Sequence, residues 1–165
     1  MMSKDKFHIR RLDVSDRDWV KGILKKFWGS EFIITKGLVH NASELPGYIA
    51  IHNDIRAGLI TYRIEDDECE IVTMNSLKED VGVGLALIKE VKCEAINLNC
   101  RRIWFITTND NLHALGFYQK KGFVLKAIYP DAVNISRRLK KEIPMFGNDN
   151  IPIRDEIELE MILSE

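Results

Sequence analysis

Met74-Asn-Ser-Leu-Lys-Glu-Asp-Val-Gly82-Val-Gly84-Leu85 joins a run of β-type residues to an amphipathic stretch that ends near Asn97. At a strand-to-helix junction the first-turn amides point outward without partners, and the helix dipole adds positive potential. Gly82 and Gly84 keep a Cβ out of the path of an approaching phosphate. The junction is therefore a candidate pyrophosphate site. A dinucleotide fingerprint would place a third glycine or alanine at 87, where the chain has Leu87. A P-loop would continue with Gly-Lys-Ser/Thr. Neither reading is well supported.

Downstream of this junction, Ile103-Trp-Phe-Ile106 is too uniformly apolar for a half-exposed strand and reads as one buried on both faces. Asn109, Asp110 or Asn111 can cap the next helix, which stops at Gly122, and Phe123 to Ile128 forms another strand. Upstream, Tyr48 to His52 and Ile55 to Ile64 flank Asn53-Asp54, a two-residue hairpin link. Asp66-Asp67 marks a second turn before a strand from Cys69 to Met74. Phe7, Ile9 and Leu12 suggest the first strand. Ser15 is expected to cap a helix, with Asp16 and Asp18 at its positive end and Trp19, Ile23 and Phe27 facing the core. Gly29 ends that helix, and Ser30 to Lys36 reads as a loop. Beyond β–α–β–α–β, Ala132 to Glu142 has weak helical potential. Pro144 and Gly147 to Pro152 make a loop, and Ile157 to Leu163 a final strand. The expectation is one α/β domain over residues 1–165, with a mixed, mostly antiparallel central sheet flanked by helices.

The 165 residues are 45% hydrophobic and 30% charged, which fits a folded chain rather than a disordered one. Lysine and arginine number 24 against 25 acidic residues, a net charge of −1 that disfavours a general nucleic-acid partner. No apolar run approaches the ~20 residues of a membrane span, and the stretch after the first lysines lacks a signal-peptide core. A cytoplasmic location with no membrane partner is expected. Cys69, Cys93 and Cys100 form no C-x-x-C pair and read as structural thiols. His8, His40, His52 and His113 have no metal-ligand spacing, so no metal is expected.

Asn111-Leu-His-Ala114-Leu-Gly-Phe-Tyr118-Gln-Lys-Lys-Gly122-Phe123 follows one helix and one strand after the glycine loop. Together the two segments resemble the GNAT N-acetyltransferase superfamily, whose paired elements read Q/R-x-x-G-x-G/A and N-x-x-A-x-x-x-Y-x-x-x-G-F. The resemblance implies acetyl-CoA as co-substrate and a small-molecule or peptide amine as acceptor. It implies that amides of Val81, Gly82, Val83, Gly84 and Leu85 bind the pyrophosphate, and that Thr73, Met74 and Asn75 pair with the pantetheine arm. Asn111 would contact that arm, and Tyr118 would protonate the departing thiolate. Relatives often pair as homodimers. One departure stands out: Glu79, followed by Asp80, replaces the usual Gln or Arg, and Lys78 can compensate.

The bland readings stay open beside these. Tyr118 fits core packing and Asn111 a plain helix cap. An acceptor ammonium must lose its proton before attack. Glu70, expected to share a strand face with Val72 and Met74, is the candidate base, with Glu68 and Glu31 as rivals. Arg137, Arg138, Lys140 and Lys141 read as a solvated helix face. The acidic end, Asp149, Asp155, Glu156 and Glu158, could attract a cationic amine. A different class of function keeps the fold without transfer, as a CoA-binding sensor or partner-binding module.

Overall fold

The computed structural model describes residues 7–78 and 82–163. Strand β1 (Phe7–Arg11) leads through a 3-10 turn (Val14–Asp16) into α1 (Arg17–Trp28). The cap is Asp13, not Ser15. Its carboxylate accepts the Ser15 amide at 2.7 Å, while the Asp16 carboxylate accepts the Asp13 amide at 3.0 Å. The 3-10 turn moves the helix start upstream and swings Asp16 inward. There it is buried and bound by Arg10 at 2.6 Å and Arg56 at 3.0 Å. Val20 and Leu24 form the buried stripe of α1, with Trp19 and Ile23 at its border and Phe27 exposed. Gly29 closes the helix at φ 80°, as its position in the sequence suggests.

The stretch read as a loop folds instead as a hairpin, β2 (Phe32–Thr35) and β3 (Leu38–Asn41), turning at Lys36-Gly37. Four-residue strands show too little alternation to be seen, and Lys-Gly is not a typical hairpin link. Next come β4 (Gly47–His52), β5 (Ile55–Glu65) and β6 (Glu68–Ser76). Their turns, Asn53-Asp54 and Asp66-Asp67, all lie at positive φ between 50° and 61°, which Asn and Asp tolerate better than other side chains. The chain continues through α2 (Val83–Asn97), β7 (Arg102–Thr108), α3 (Leu112–Lys120), β8 (Val124–Tyr129), α4 (Ala132–Leu139) and β9 (Glu156–Ile162).

Seven strands pair in the order β1-β4-β5-β6-β7-β9-β8, while β2 and β3 pair only with each other. Among the described residues β6–β7 is the one parallel pair of this sheet. The last strand is inserted between β7 and β8. Leu87, Ile88 and Val91 of α2 and Tyr118 of α3 pack on one face with Ile60, Ile103 and Leu159. Val20, Leu24 and Ile33 cover Leu59 and Val72 on the other. Trp104 and Phe105 are both buried, so β7 is enclosed on both faces as its composition suggests. No helix of the described residues is long and apolar enough to cross a membrane.

Candidate functional site

Parallel pairing of β6 with β7 ends at Ile71–Phe105, yet β6 runs on to Ser76 and β7 to Thr108. On β6, Thr73 faces Thr61 and Ile71 faces Tyr62, leaving Val72 as an extra residue. This β-bulge bends the strand. On the other side β7 stays paired with β9 as far as Thr108–Glu156 and follows it away. A wedge-shaped cleft of about 660 Å³ opens between them. Beyond Ile71 the edge of β6 toward β7 has no strand partner among the described residues, so its main-chain donors and acceptors can pair with an extended, amide-bearing ligand.

The N-terminus of α2 stands at one end of this cleft. Gly82 holds φ 77°, and an added Cβ there would meet no protein atom within 4 Å. Glycine is needed for the turn rather than for room within the protein. The first intrahelical bond runs from the Ala86 amide to the Gly82 carbonyl (3.1 Å). The amides of Val83, Gly84 and Leu85 precede it in the first turn and have no backbone partner among the described residues, which suits them to an anion. Gly82, Val83, Gly84 and Leu85 line the cleft, as do Met74, Asn111 and Tyr118. Asn111 also caps α3, its Oδ1 accepting the Ala114 amide at 3.2 Å. Thr73 and Asn75 are not among the residues that line the cleft. Thr73 Oγ1 meets Thr61 Oγ1 at 2.6 Å, and Asn75 Oδ1 accepts the Trp28 indole at 2.9 Å. Val81 lies outside the described residues, with Glu79 and Asp80. Lys78 and Lys121 also line the cleft, and Lys78 Nζ is 2.9 Å from Nδ1 of His52.

Tyr118 sits deep in the wedge with its ring 4.1 Å from that of Phe105, and Phe117 and Phe123 edge-on to it. Burial pushes its hydroxyl well above the ordinary phenol value, so it stays protonated.

Comparison with known proteins agrees with this geometry. The family model described as "Acetyltransferase (GNAT) family" matches residues 17–123. The chain belongs to the GNAT family. Its sequence is 41% identical over 142 residues to the uncharacterized Bacillus subtilis protein YxbD, covering 86% of this chain and 89% of that one. A Bacillus subtilis acetyltransferase solved in complex with CoA superposes with a TM-score of 0.69 at 22% identity, covering 96% of this chain and 99% of that one. A GNAT acetyltransferase from Elizabethkingia anophelis with acetyl-CoA bound gives 0.70 at 20% identity, with 96% and 99% covered.

In this GNAT chain Met74 lines the cleft, whereas Glu70 does not and lies toward the β2–β3 hairpin. The bulge at Val72 is responsible. Glu70 and Val72 turn toward α1 and the β2–β3 hairpin, while Met74 packs with the α2-side cluster, so the three do not share a face as expected. Glu70 is fully buried. Its Oε1 accepts the Thr35 hydroxyl at 2.7 Å and its Oε2 the Arg63 guanidinium at 2.8 Å. Thr35 spends its proton on Glu70, so it accepts from His40 Nε2 at 2.8 Å. Burial lowers the His40 pKa, against the pull of Glu70. Thr35 and His40 were not recognisable as partners of Glu70, because only the hairpin brings them there. The rival carboxylates are engaged elsewhere: Glu31 accepts from Ser43 at 3.0 Å, and Glu68 pairs with Arg101 and Arg102.

One further expectation is corrected. The basic cluster is partly structural. Lys140 is buried and donates to the carbonyls of Trp28 and Phe32 at 2.7 and 2.9 Å. Arg137 binds the carbonyls of Ile143, Pro144 and Ile153. At the acidic end, Glu156 and Glu158 are buried on β9, on the same side of the sheet as Glu70.

Proposed function

We propose that this GNAT chain is an N-acetyltransferase that moves the acetyl group of acetyl-CoA to a primary amine by direct attack in a ternary complex. The observation that carries this reading is the wedge itself. The β6 edge left without a strand partner, the first turn of α2 and Tyr118 border one cleft. The pyrophosphate would rest on the amides of Val83, Gly84 and Leu85, and the pantetheine would lie along β6 from Val72 to Asn75. CoA and acetyl-CoA in the two structural relatives support the same ligand.

In the reaction the amine nitrogen bonds to the thioester carbon, and the tetrahedral adduct collapses with cleavage of the C–S bond. Tyr118 gives the departing thiolate its proton. The proton lost by the amine passes to Glu70, whose carboxylate is oriented by Arg63 and by the Thr35–His40 chain. Holding both reactants in line supplies most of the acceleration, and the acid step adds about 10²–10⁴-fold.

The test is calorimetric titration with acetyl-CoA, followed by thiol release across a panel of amines. Binding that raises Tm with ligand concentration, by about 2.7 kcal/mol of stability at a hundredfold excess over Kd, with turnover of at least one amine, is expected. No binding at millimolar acetyl-CoA overturns the reading. Binding without turnover of any amine favours a CoA-binding sensor on the same fold.

A further inference from the structure

Lys36 at the tip of the β2–β3 hairpin points its ammonium into the acidic face of the sheet. Nζ lies 4.9 Å from the centre of the Trp104 ring and 5.3 Å from that of Tyr129. It donates to Glu158 Oε1 at 3.1 Å, where the Tyr129 hydroxyl also donates, at 2.9 Å. Arg102 holds the other oxygen of Glu158 at 2.9 Å. Two aromatic faces and an oriented, buried carboxylate are the chemistry that recognises an alkylammonium ion. The hairpin makes no strand pairing with the main sheet, so this ammonium comes from a separable element. Beside the box, Glu156 is 2% exposed and accepts the Lys36 main-chain amide at 3.0 Å. The buried Ser136 hydroxyl faces its carboxylate.

We propose that Trp104, Tyr129 and Glu158 form a binding site for an ammonium group of the acceptor, held by Lys36 until the acceptor displaces it, and that the acceptor is a di- or polyamine. It rests on the transferase reading for the identity of the ligand as acceptor. A box that stabilises positive charge is the wrong seat for the reacting nitrogen, which must be neutral to attack a thioester. The box therefore takes a second, non-reacting nitrogen. Trp104 is the register partner of both Glu70 and Glu160. The box thus lies one to two strand spacings from Glu70, roughly 5–10 Å, a gap an alkyl chain bridges. Glu156, buried beside the box, offers such a chain a further hydrogen-bond acceptor.

Titrations of the full-length protein with cadaverine and with n-pentylamine, without acetyl-CoA, test the proposal. Cadaverine is expected to bind about tenfold more tightly than n-pentylamine. Lys36→Ala, by emptying the box, is expected to tighten cadaverine binding again by about tenfold. Adding Glu158→Gln, which keeps the side-chain shape, removes that gain. Trp104→Leu serves as a second route if Glu158→Gln lowers Tm below the working temperature. Equal affinities for the two amines, or no gain from Lys36→Ala, overturn the proposal. Because these titrations contain no acetyl-CoA, failure of the transferase reading would appear separately, as absent acetyl-CoA binding.

Discussion

Tyr118 is held by Phe105, Phe117 and Phe123 through its ring, so its hydroxyl is the part left for chemistry. Tyr118→Phe keeps the packing and removes the acid. We expect kcat to fall about 10²-fold or more, with the acetyl-CoA Kd changed by less than about threefold. Unchanged kcat would remove Tyr118 from the mechanism. Thr35 offers a second test, since its hydroxyl bridges Glu70 and His40. Thr35→Val is isosteric but leaves two buried polar groups unsatisfied, a cost of about 1–3 kcal/mol. If the chain also orients Glu70 for proton removal, kcat drops with KM for acetyl-CoA unchanged, and Thr35→Ser restores it. A loss of stability without a loss of kcat would make the bridge purely structural.

Among elements, α2 matters most, because its first turn is both core and binding site. Gly58 on β5 lies directly beneath it. A Cβ there would stand 2.5 Å from Val83 Cγ1 and 3.1 Å from both the Asn75 carbonyl and Leu87. Gly58→Ala must therefore lift the first turn of α2 or push β6 aside. Overpacking of this kind costs about 1–3 kcal/mol, and here it also moves the amides of Val83 and Gly84. We expect lower Tm and weaker acetyl-CoA binding together, measured by thermal unfolding and calorimetry. The hairpin β2–β3 is the opposite kind of element. It carries little core beyond Ile33, yet it delivers Thr35, Lys36 and His40 to the buried carboxylates of Glu70 and Glu158.

Across the whole molecule, the junction of β1, α1 and β5 depends on one carboxylate. The hydrogen bond from Arg10 holds Asp16 well below the usual carboxylate range, against the cost of burial and with help from Arg56. A depressed folded-state value means that the stabilisation is complete above the unfolded pKa of about 3.9. It declines as the pH falls from there toward the folded value. Asp16→Asn is expected to cost about 2 kcal/mol at pH 7, an amount limited because both guanidinium groups reach solvent. The Tm gap between wild type and variant should narrow progressively as the pH falls below about 4. A gap independent of pH would contradict this assignment.

What the sequence determined by itself was local. The two Asn/Asp hairpin turns, the Gly29 stop, the glycine-led start of α2, the Asn111 cap and the buried character of β7 all follow from backbone preferences within a few residues. Most candidate cofactor contacts were legible for the same reason, because a strand, a turn and a helix start form one continuous segment. The tertiary structure alone decided the rest. A one-residue bulge at Val72 turned Glu70 and Met74 to opposite faces, which no period-2 reading anticipates. Insertion of β9 between β7 and β8 buried Glu156 and Glu158. A hairpin of two four-residue strands with no clear pattern carried Thr35, Lys36 and His40 to Glu70, Trp104 and Glu158. These partners are 30 to more than 100 positions apart in the chain. Such juxtapositions depend on strand order and register, which are set by how whole elements pack rather than by the residues adjoining each side chain.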